Sequence, residues 1–283
     1  MSNDVHDRVA VVTGASRGLG HDIAVALGGR GHPVVVVARS SVGLAATERA
    51  IRDAGGTAVA VPTDVTDPAG VEELKQRVLD TVGPARIVVN AAGVFGPIEF
   101  VKDSDPNQWV AAIMVDAVAP YLVSRAFVGD MIAAGWGRIV NITSAASLHP
   151  PGALNSAYGT AKAAVNQFTW HLAAELVDTG VTANVLHPGD VKTDMWADVR
   201  DRAAAAGPAA EAYQQWARWV DETGGDPPHK AVDAVLRLCD DEAADISGRF
   251  CWIDDPLQAP IPSWEDPVDA RPWTTTDESP PDP

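Results

Sequence analysis

Short runs of apolar, mostly β-branched residues recur along this chain, separated by longer segments rich in Ala and Leu. The apolar runs cover residues 9–13, 34–37, 59–61, 87–89, 138–142 and 182–186. Because these runs are apolar throughout and do not alternate with polar residues, they are typical of parallel strands buried on both faces. The segments between them, such as 21–30, 44–54 and 71–82, are long enough for helices. The alternation predicts an α/β fold with a doubly wound parallel sheet and right-handed crossovers.

Two regions depart from this alternation. Residues 193–228 place the aromatic side chains of Trp196, Tyr213 and Trp216 among Ala, Asp and Arg. Since this region follows a strand end, it predicts helices that cover a cleft as a substrate lid; the alternative is a helical excursion packed on the core. Residues 254–283 are rich in Pro, Asp and Glu, a composition that cannot form a regular element. The prediction is one domain over residues 1–253 and a proline-rich acidic tail over 254–283, with the first half of the tail docked on the body.

The composition narrows the possible partners. A formal net charge of -17 disfavours binding to nucleic acid or to an anionic membrane surface, because phosphates would be repelled. The chain contains no run of roughly 18 uninterrupted apolar residues that would predict a membrane span, and residues 1–8 lack the apolar core of a secretory signal. Cys239 and Cys251 have neither metal-ligand spacing nor a disulfide pattern. We therefore expect a cytoplasmic protein without a metal site.

A glycine-rich turn follows the first predicted strand and opens the first predicted helix. Glycines let a backbone turn tightly and approach a pyrophosphate, and the helix N-terminus offers unpaired N–H groups to that anion. The turn therefore predicts a dinucleotide site. Its expected contact residues are Gly14, Ser16, Arg17, Gly18, Leu19 and Gly20.

The end of the second predicted strand bears on the choice of dinucleotide. NAD usually requires an acidic residue there to hold the ribose 2′-hydroxyl. The chain instead has Ala38 followed by Arg39, and Arg17 stands nearby in the glycine-rich turn. Two guanidinium groups are suited to gripping a 2′-phosphate bidentately. NADP(H) is therefore expected in preference to NAD(H), the alternative being that both arginines are solvated surface residues.

Further motifs follow the turn in a fixed order. They are Asp64 with Val65, residues 90–93 (Asn-Ala-Ala-Gly), Ser144, Tyr158 with Lys162, and Pro188 with Gly189 and Thr193. With the turn, they make the chain similar to the short-chain dehydrogenase/reductases over residues 5–250. The resemblance implies a single-domain Rossmann-type fold, a bound dinucleotide and chemistry carried by Ser, Tyr and Lys.

The resemblance also implies which residues hold the adenosine half of the dinucleotide. Asp64 and Val65 would contact adenine, although Asp64 also fits a helix N-cap. The small side chains around Asn90, Ala91 and Gly93 would let the adenosine ribose and the backbone lie close together.

A second group is implied to hold the nicotinamide half. Pro188 and Gly189 would make room for the ring. The backbone of Val191 and the hydroxyl of Thr193 would hold its carboxamide. The alternative is an ordinary proline-containing loop between a strand and a helix.

Tyr158 and Lys162 are four residues apart, so on a helix they share one face. A lysine beside a tyrosine lowers the pKa of the phenol, and the charge of an oxidised nicotinamide would add to this. Tyr158 is therefore expected to exchange a proton near neutral pH. Ser144, after the run 138–142, can donate to the same substrate oxygen. Tyr158 and Lys162 are also expected to contact the dinucleotide.

One position departs from the family pattern. Asp116 stands where family members usually have Asn, whose backbone carbonyl is thought to hold a water that leads to the catalytic lysine. If that carbonyl is what matters, Asp116 completes the catalytic set; if the side-chain amide matters, the relay is weakened. Residues 250–255 also replace the usual glycine-rich strand ending, which puts the usual tetramer contacts in doubt.

The expected substrate is a small apolar carbonyl compound or secondary alcohol. The residues expected to surround it are Leu148, His149, Leu154, Met195 and Trp196. The sequence thus predicts an NADP(H)-dependent oxidoreductase that forms a homodimer or homotetramer, with Tyr158 as general acid and base. The alternatives are a non-catalytic NADP(H)-binding sensor or interaction protein, and another reaction on the same fold, such as dehydration or epimerisation.

Overall fold

The computed structural model describes residues 5–148 and 152–253. His149 and the tail over residues 254–283, for which the sequence raised expectations, lie outside the described residues. Seven strands form one sheet: β1 (Val9–Thr13), β2 (Val34–Ala38), β3 (Ala58–Pro62), β4 (Ala85–Asn90), β5 (Gly137–Ile142), β6 (Val181–His187) and β7 (Phe250–Trp252). Their order is β3-β2-β1-β4-β5-β6-β7, and every neighbouring pair is parallel.

The predicted Rossmann-type parallel sheet is confirmed. Each of the six apolar runs forms a strand, and all five residues of β1 are buried, as expected for strands covered on both faces. β7 is an addition to the prediction. It has only three residues and lacks a β-branched run, so its pairing with β6 comes from tertiary packing.

Nine α-helices occur in the described parts of the chain. They are α1 (Gly18–Gly29), α2 (Ser41–Asp53), α3 (Pro68–Val82), α4 (Pro106–Ile113), α5 (Ala119–Ala134), α6 (Ser156–Glu175), α7 (Asp194–Ala205), α8 (Glu211–Thr223) and α9 (Pro228–Cys239). Side-chain capping fixes where α2, α3 and α4 begin. The side chains of Ser40, Asp67 and Asp105 each accept a hydrogen bond from a first-turn N–H group. Pro68 and Pro106 stand in the first turn, where a missing N–H costs nothing.

The helices cover both faces of the sheet. On one face, α3, α5 and α6 contribute Leu74, Val123 and Leu172 to the core. On the other, α1 and α2 contribute Ile23 and Ile51, together with residues of α9. The chain crosses from one face to the other between β1 and β4, which is where a doubly wound sheet opens a crevice at the carboxyl ends of its strands.

One continuous helical run, Pro106–Ala134, is apolar and long enough to cross a membrane by length and composition. Half of its most apolar window is buried inside the protein. α5, within this run, contacts β4 and β5, as the core helix of a globular domain does.

Between β6 and α9 the chain forms helices, as predicted: α7, a short 3-10 turn (Gly207–Ala210) and α8, which together we call the lid. At its base, the backbone N–H of Asp190 donates to the Asp226 carboxylate, and the N–H of Asp226 donates to the Asp190 carbonyl. The lid has its own small core, in which Val199 and Ala203 pack with Leu154. It therefore packs, through Leu154, on the segment just before α6, in a cluster separate from the two main core clusters.

Candidate active site

The glycine-rich turn is packed against the end of β4. A Cβ added to Gly14, whose φ is +68°, would lie 2.7 Å from the Ala91 carbonyl oxygen. A Cβ added to Gly20 would lie 2.5 Å from the carbonyl oxygen of Gly14. Both glycines are thus required for the turn to close on itself and to approach β4, at the crevice between β1 and β4.

The N-terminus of α1 suits an anion. Its N-cap residue, Arg17, makes no side-chain hydrogen bond to the helix, and its first turn contains no acidic residue. The first-turn N–H groups therefore lack the side-chain acceptor that Ser40 and Asp67 provide in α2 and α3. Beyond the turn, the nearest atoms to a Cβ on Gly18 belong to Thr193, at 3.9 Å or more, so the cleft is open there. These features fit a bound pyrophosphate.

At the end of β2, Ala38 is followed by the exposed Arg39. Hydrogen bonds from the hydroxyl and the backbone N–H of Thr66 lower the pKa of the Asp64 carboxyl. The charge of Arg39 adds a smaller lowering, so the two side chains are close to each other. The N-cap of α3 is Asp67, so the N-cap interpretation of Asp64 is wrong. Asp64 is therefore an ionised carboxylate close to the corner where a 2′-phosphate would lie.

Two other predicted cofactor contacts, Ser16 and Val65, have defined surroundings. Ser16 packs against Gly43 at the start of α2, which brings the turn to the same corner. The Val65 side chain is buried in the core, so only its backbone can reach a ligand.

Arg17, in the glycine-rich turn, has an acidic partner on α7. Its guanidinium forms a 3.2 Å salt bridge with Asp194, the first residue of α7. Both side chains are exposed. Arg39 thus stands at the end of β2 and Arg17 is paired with the first residue of α7, so the binding of a 2′-phosphate by both arginines stays a prediction.

Asn90 has a structural role that the motif did not reveal. Its side-chain amide donates to Asn141 at 2.8 Å and to Ser124 at 3.3 Å, and the side chain is buried. These bonds join the ends of β4 and β5 to α5. The Asn90 side-chain amide is therefore engaged inside the protein, Ala91 and Gly93 lie at the crevice, and a contact of Asn90 with the cofactor stays a prediction.

The three predicted catalytic residues come together. Tyr158 and Lys162 lie on α6 and are only 9% and 4% exposed. The Lys162 ammonium donates to the Ile142 carbonyl at 3.0 Å and lies 5.4 Å from the centre of the Tyr158 ring. Ser144, just after β5, lies close enough to Tyr158 to lower the pKa of the phenol. A hydroxyl donor, a titratable phenol and a fixed cation thus share one site at the carboxyl ends of the strands.

The electrostatic balance at Tyr158 differs from the expectation. Burial raises the pKa of the phenol, and this outweighs the lowering by the charge of Lys162 and by the hydrogen bond from Ser144. Lys162 acts in the predicted direction, but the expected net lowering is wrong for the protein alone. The four-residue spacing predicts that a lysine lies next to the phenol, but it does not predict that the phenol is buried away from water.

Asp116 lies in a π-helical segment, Met114–Val118, between α4 and α5. Pro120 has no N–H, so the α-helical hydrogen bond that would end on the Asp116 carbonyl cannot form. The carboxyl side chain is fully buried, and its Oδ1 accepts the Val94 N–H at 3.0 Å. The same oxygen is 3.6 Å from the Lys162 nitrogen. The side chain itself therefore reaches Lys162, beyond the role expected of the backbone carbonyl.

A hydrogen-bond chain behind Ser144 was not predicted. The Thr143 hydroxyl donates to Asn166 at 2.6 Å, the Asn166 amide to Ser147 at 2.7 Å, and the Ser147 hydroxyl to the Ser144 carbonyl at 2.6 Å. The Ala145 N–H donates to a ring nitrogen of His187. This chain ties the end of β5 to α6 and so holds Ser144 in place. Its members are ordinary polar residues in the sequence, and only the fold brings them together.

The segment expected to hold the nicotinamide half is a compact loop after β6. A Cβ on Gly189 would lie 2.5 Å from the Ile253 side chain and 2.6 Å from the Asp226 carboxylate, so only glycine fits. Val191 pairs with Gly225 across the base of the lid. The Thr193 hydroxyl accepts the N–H of Trp196 and caps α7, which leaves its own proton available to another acceptor. Pro188 lies between this loop and β6.

Of the described residues expected to line a substrate pocket, three take clear positions. Leu154 is buried in the lid core. The Met195 methyl group lies 3.6 Å from a Cβ added to Gly93, which puts it beside the catalytic residues. Trp196 is 5% exposed between the cations of Lys192 and Arg200. Leu148 is half-buried at the edge of the described segment.

Two aromatic side chains near the site were missed as pocket residues. The Phe95 ring stacks on Tyr158 with 4.7 Å between centres, and Tyr213 of α8 meets Phe95 edge-on at 6.0 Å. Phe95 lies two residues after the 90–93 motif, which is the one sequence signal that could have placed it near the site. The catalytic phenol therefore has an aromatic wall that continues into the lid.

Across residues 5–148 and 152–253, no group of three or more His, Cys, Asp or Glu side chains is arranged to hold a metal ion. The site geometry is that of a dinucleotide crevice beside a buried Tyr–Lys pair.

The chain matches known proteins over most of its length. A family model described as short chain dehydrogenase matches residues 8–204. A ketoacyl reductase from Nostoc sp. is 38% identical over 198 residues, which cover 68% of this chain and 67% of that protein. A cis-4-hydroxycyclohexanecarboxylate dehydrogenase from Sinomonas cyclohexanicum is 32% identical over 249 residues, 88% of this chain and 95% of that one. A crystal structure of an actinorhodin polyketide ketoreductase variant with NADPH superposes with a TM-score of 0.80 at 30% identity, covering 89% and 97% of the two chains. This chain belongs to the short-chain dehydrogenase/reductase family of oxidoreductases.

Proposed function

We propose that the protein is an NADP(H)-dependent oxidoreductase that transfers a hydride between nicotinamide and the carbon of a small apolar carbonyl compound or secondary alcohol. One observation carries this proposal: Tyr158, Lys162 and Ser144 meet beside Gly93, at the mouth of the crevice that the glycine-rich turn opens. The ketoacyl reductase and dehydrogenase names of the relatives support the reaction class.

The residues around the crevice fit a dinucleotide. The uncapped N-terminus of α1 would hold the pyrophosphate, Arg39 the 2′-phosphate, and Thr193 the carboxamide. The NADPH in the similar ketoreductase structure supports the choice of a nicotinamide dinucleotide, and the absence of an acid at Ala38 supports its phosphorylated form. When bound, the dinucleotide supplies or accepts the hydride.

The side chains of this chain would handle the proton. In reduction, the Tyr158 hydroxyl donates its proton to the substrate oxygen as negative charge develops there. The Ser144 hydroxyl donates a second hydrogen bond to the same oxygen. The ammonium of Lys162 stabilises the phenolate that remains, and in oxidation the phenolate takes the proton back. Phe95 and Met195 would exclude water from this exchange.

A panel of ketones, ring ketones, ketoacyl thioesters and secondary alcohols, assayed by the absorbance of the reduced nicotinamide, tests the proposal. Turnover of any carbonyl or alcohol with NADP(H) supports it. Tight NADPH binding without turnover across the panel would favour the sensor interpretation. The homo-oligomer stays a prediction, and light scattering after gel filtration of the same preparation measures it.

A further inference from the structure

The active site holds a buried acid that the proposed proton transfer does not use. The Asp116 side chain is fully buried, and its Oδ2 makes no hydrogen bond to any group in the described part of the chain. A buried charge without full hydrogen bonding is costly, and proteins retain such groups mainly where they act. Burial raises the pKa of this carboxyl, against the charge of Lys162 and the hydrogen bond from Val94.

The placement of this acid is specific. Its Oδ1 is 3.6 Å from the Lys162 nitrogen and accepts the Val94 N–H at 3.0 Å. A Cβ on Gly93 would lie 2.9 Å from that oxygen and 3.7 Å from the Lys162 nitrogen, so the backbone of the 90–93 motif closes over the pair. The carboxylate and the ammonium are thus held together out of water.

We propose that Asp116 is a positioning residue that acts through Lys162: its carboxylate pairs with the buried ammonium and so sets the pH range over which Tyr158 exchanges its proton. The inference rests on the proposed role of Tyr158. Asn, the usual residue at this position in the family, carries no charge and cannot act in this way.

The direction of the effect follows from the charges. A lone ammonium next to Tyr158 stabilises the phenolate, and a carboxylate paired with that ammonium offsets part of this stabilisation. Asp116 therefore opposes the lowering of the Tyr158 pKa by Lys162, in agreement with the direction of its own effect on that phenol. The other groups that act on Tyr158 are Ser144, which lowers its pKa, and Asp190 of the loop after β6, which raises it.

The test is the pH profile of alcohol oxidation. In the wild type, kcat/KM should rise with pH as Tyr158 ionises. In Asp116→Asn, the midpoint of this rise should move to lower pH by about one unit. At a fixed pH on the acidic limb, kcat/KM divided by each enzyme's own plateau value should then be about tenfold higher in the variant than in the wild type. Asp245→Asn, which removes an exposed carboxylate from the segment between α9 and β7, is the matched control and should leave the midpoint unchanged. A purely structural role would lower the plateau or the melting temperature without moving the midpoint.

A second readout needs no turnover. Binding of NADP+ should strengthen as pH rises through the pKa of Tyr158, because the positive nicotinamide favours the phenolate. Tryptophan fluorescence titrations at several pH values should give a lower midpoint for Asp116→Asn and for Asp116→Ser than for the wild type. Identical midpoints in the wild type and both variants would overturn the inference while leaving the role of Tyr158 intact. If Tyr158→Phe shows the same midpoint as the wild type, the proposed function of Tyr158 fails and the inference fails with it.

Discussion

The proposed preference for the phosphorylated dinucleotide rests on one exposed side chain, and Arg39→Ala removes that side chain. Arg39 follows the last residue of β2, where Ala38 supplies no carboxylate for a ribose 2′-hydroxyl. A charge-assisted hydrogen bond of this kind contributes about 1.5–3 kcal/mol. That corresponds to a loss of roughly ten- to a hundredfold in kcat/KM with NADPH.

The surroundings of Arg39 place the effect near the lower end of that range. Its guanidinium is exposed, where charges are screened, and the ionised Asp64 lies close enough to offset part of its charge. We therefore expect about a tenfold loss with NADPH and little change with NADH. Arg17→Ala should cost less, because its guanidinium is engaged by Asp194.

The assay is a set of initial rates with both dinucleotides at one ionic strength, for the wild type, Arg39→Ala and a control. Arg49→Ala is the matched control, since it removes an exposed arginine from the middle of α2 and changes the net charge equally. Ala38→Asp should move the preference towards NADH by restoring an acid at the end of β2. Equal use of NADPH and NADH by the wild type, or an equal loss with both in Arg39→Ala, would refute the reasoning.

Two further substitutions test the crevice and its wall. Gly14→Ala should lower the melting temperature by several degrees and weaken NADPH binding at least about tenfold, because its Cβ would meet the Ala91 backbone and its φ is +68°. Calorimetry measures the melting temperature, and fluorescence titration measures NADPH binding. The control Gly29→Ala, at an open helical position, should change neither quantity. Phe95→Ala should raise KM for bulky apolar ketones by about tenfold and have little effect on KM for the smallest ketone. The tenfold change corresponds to the roughly 1–1.5 kcal/mol that a lost aromatic contact costs. An equal change in KM for large and small ketones would contradict a wall formed by Phe95.

The sequence predicted those features that local pattern determines. Apolar runs such as 9–13 became central strands because only a parallel sheet buries every residue of such a run. The glycine-rich turn, the Tyr158–Lys162 spacing and Ser144 after β5 also came together as expected, because the carboxyl ends of parallel strands meet at one edge.

The features that depend on tertiary contacts could not be predicted from the sequence. The salt bridge of Arg17 with Asp194 joins two elements far apart in the chain, and nothing local selects that partner. The stacking of Phe95 on Tyr158 and the raised pKa of that phenol both follow from burial, which depends on how the lid and α6 pack. The approach of the Asp116 carboxylate to Lys162 likewise requires the π-helical segment to face α6.

The role of Tyr158 is tested most directly by its replacement with phenylalanine, which keeps the ring on Phe95 and removes the titrating hydroxyl. The measurement is kcat for the best substrate of the panel, with NADPH affinity taken from the same preparation. We expect kcat to fall by at least about a hundredfold, with NADPH affinity nearly unchanged, because general acid–base catalysis contributes that much. Ser144→Ala should lose about a hundredfold and Lys162→Ala at least as much as Tyr158→Phe, and the three losses should not add because the groups act together. A Tyr158→Phe enzyme with wild-type kcat would contradict the account.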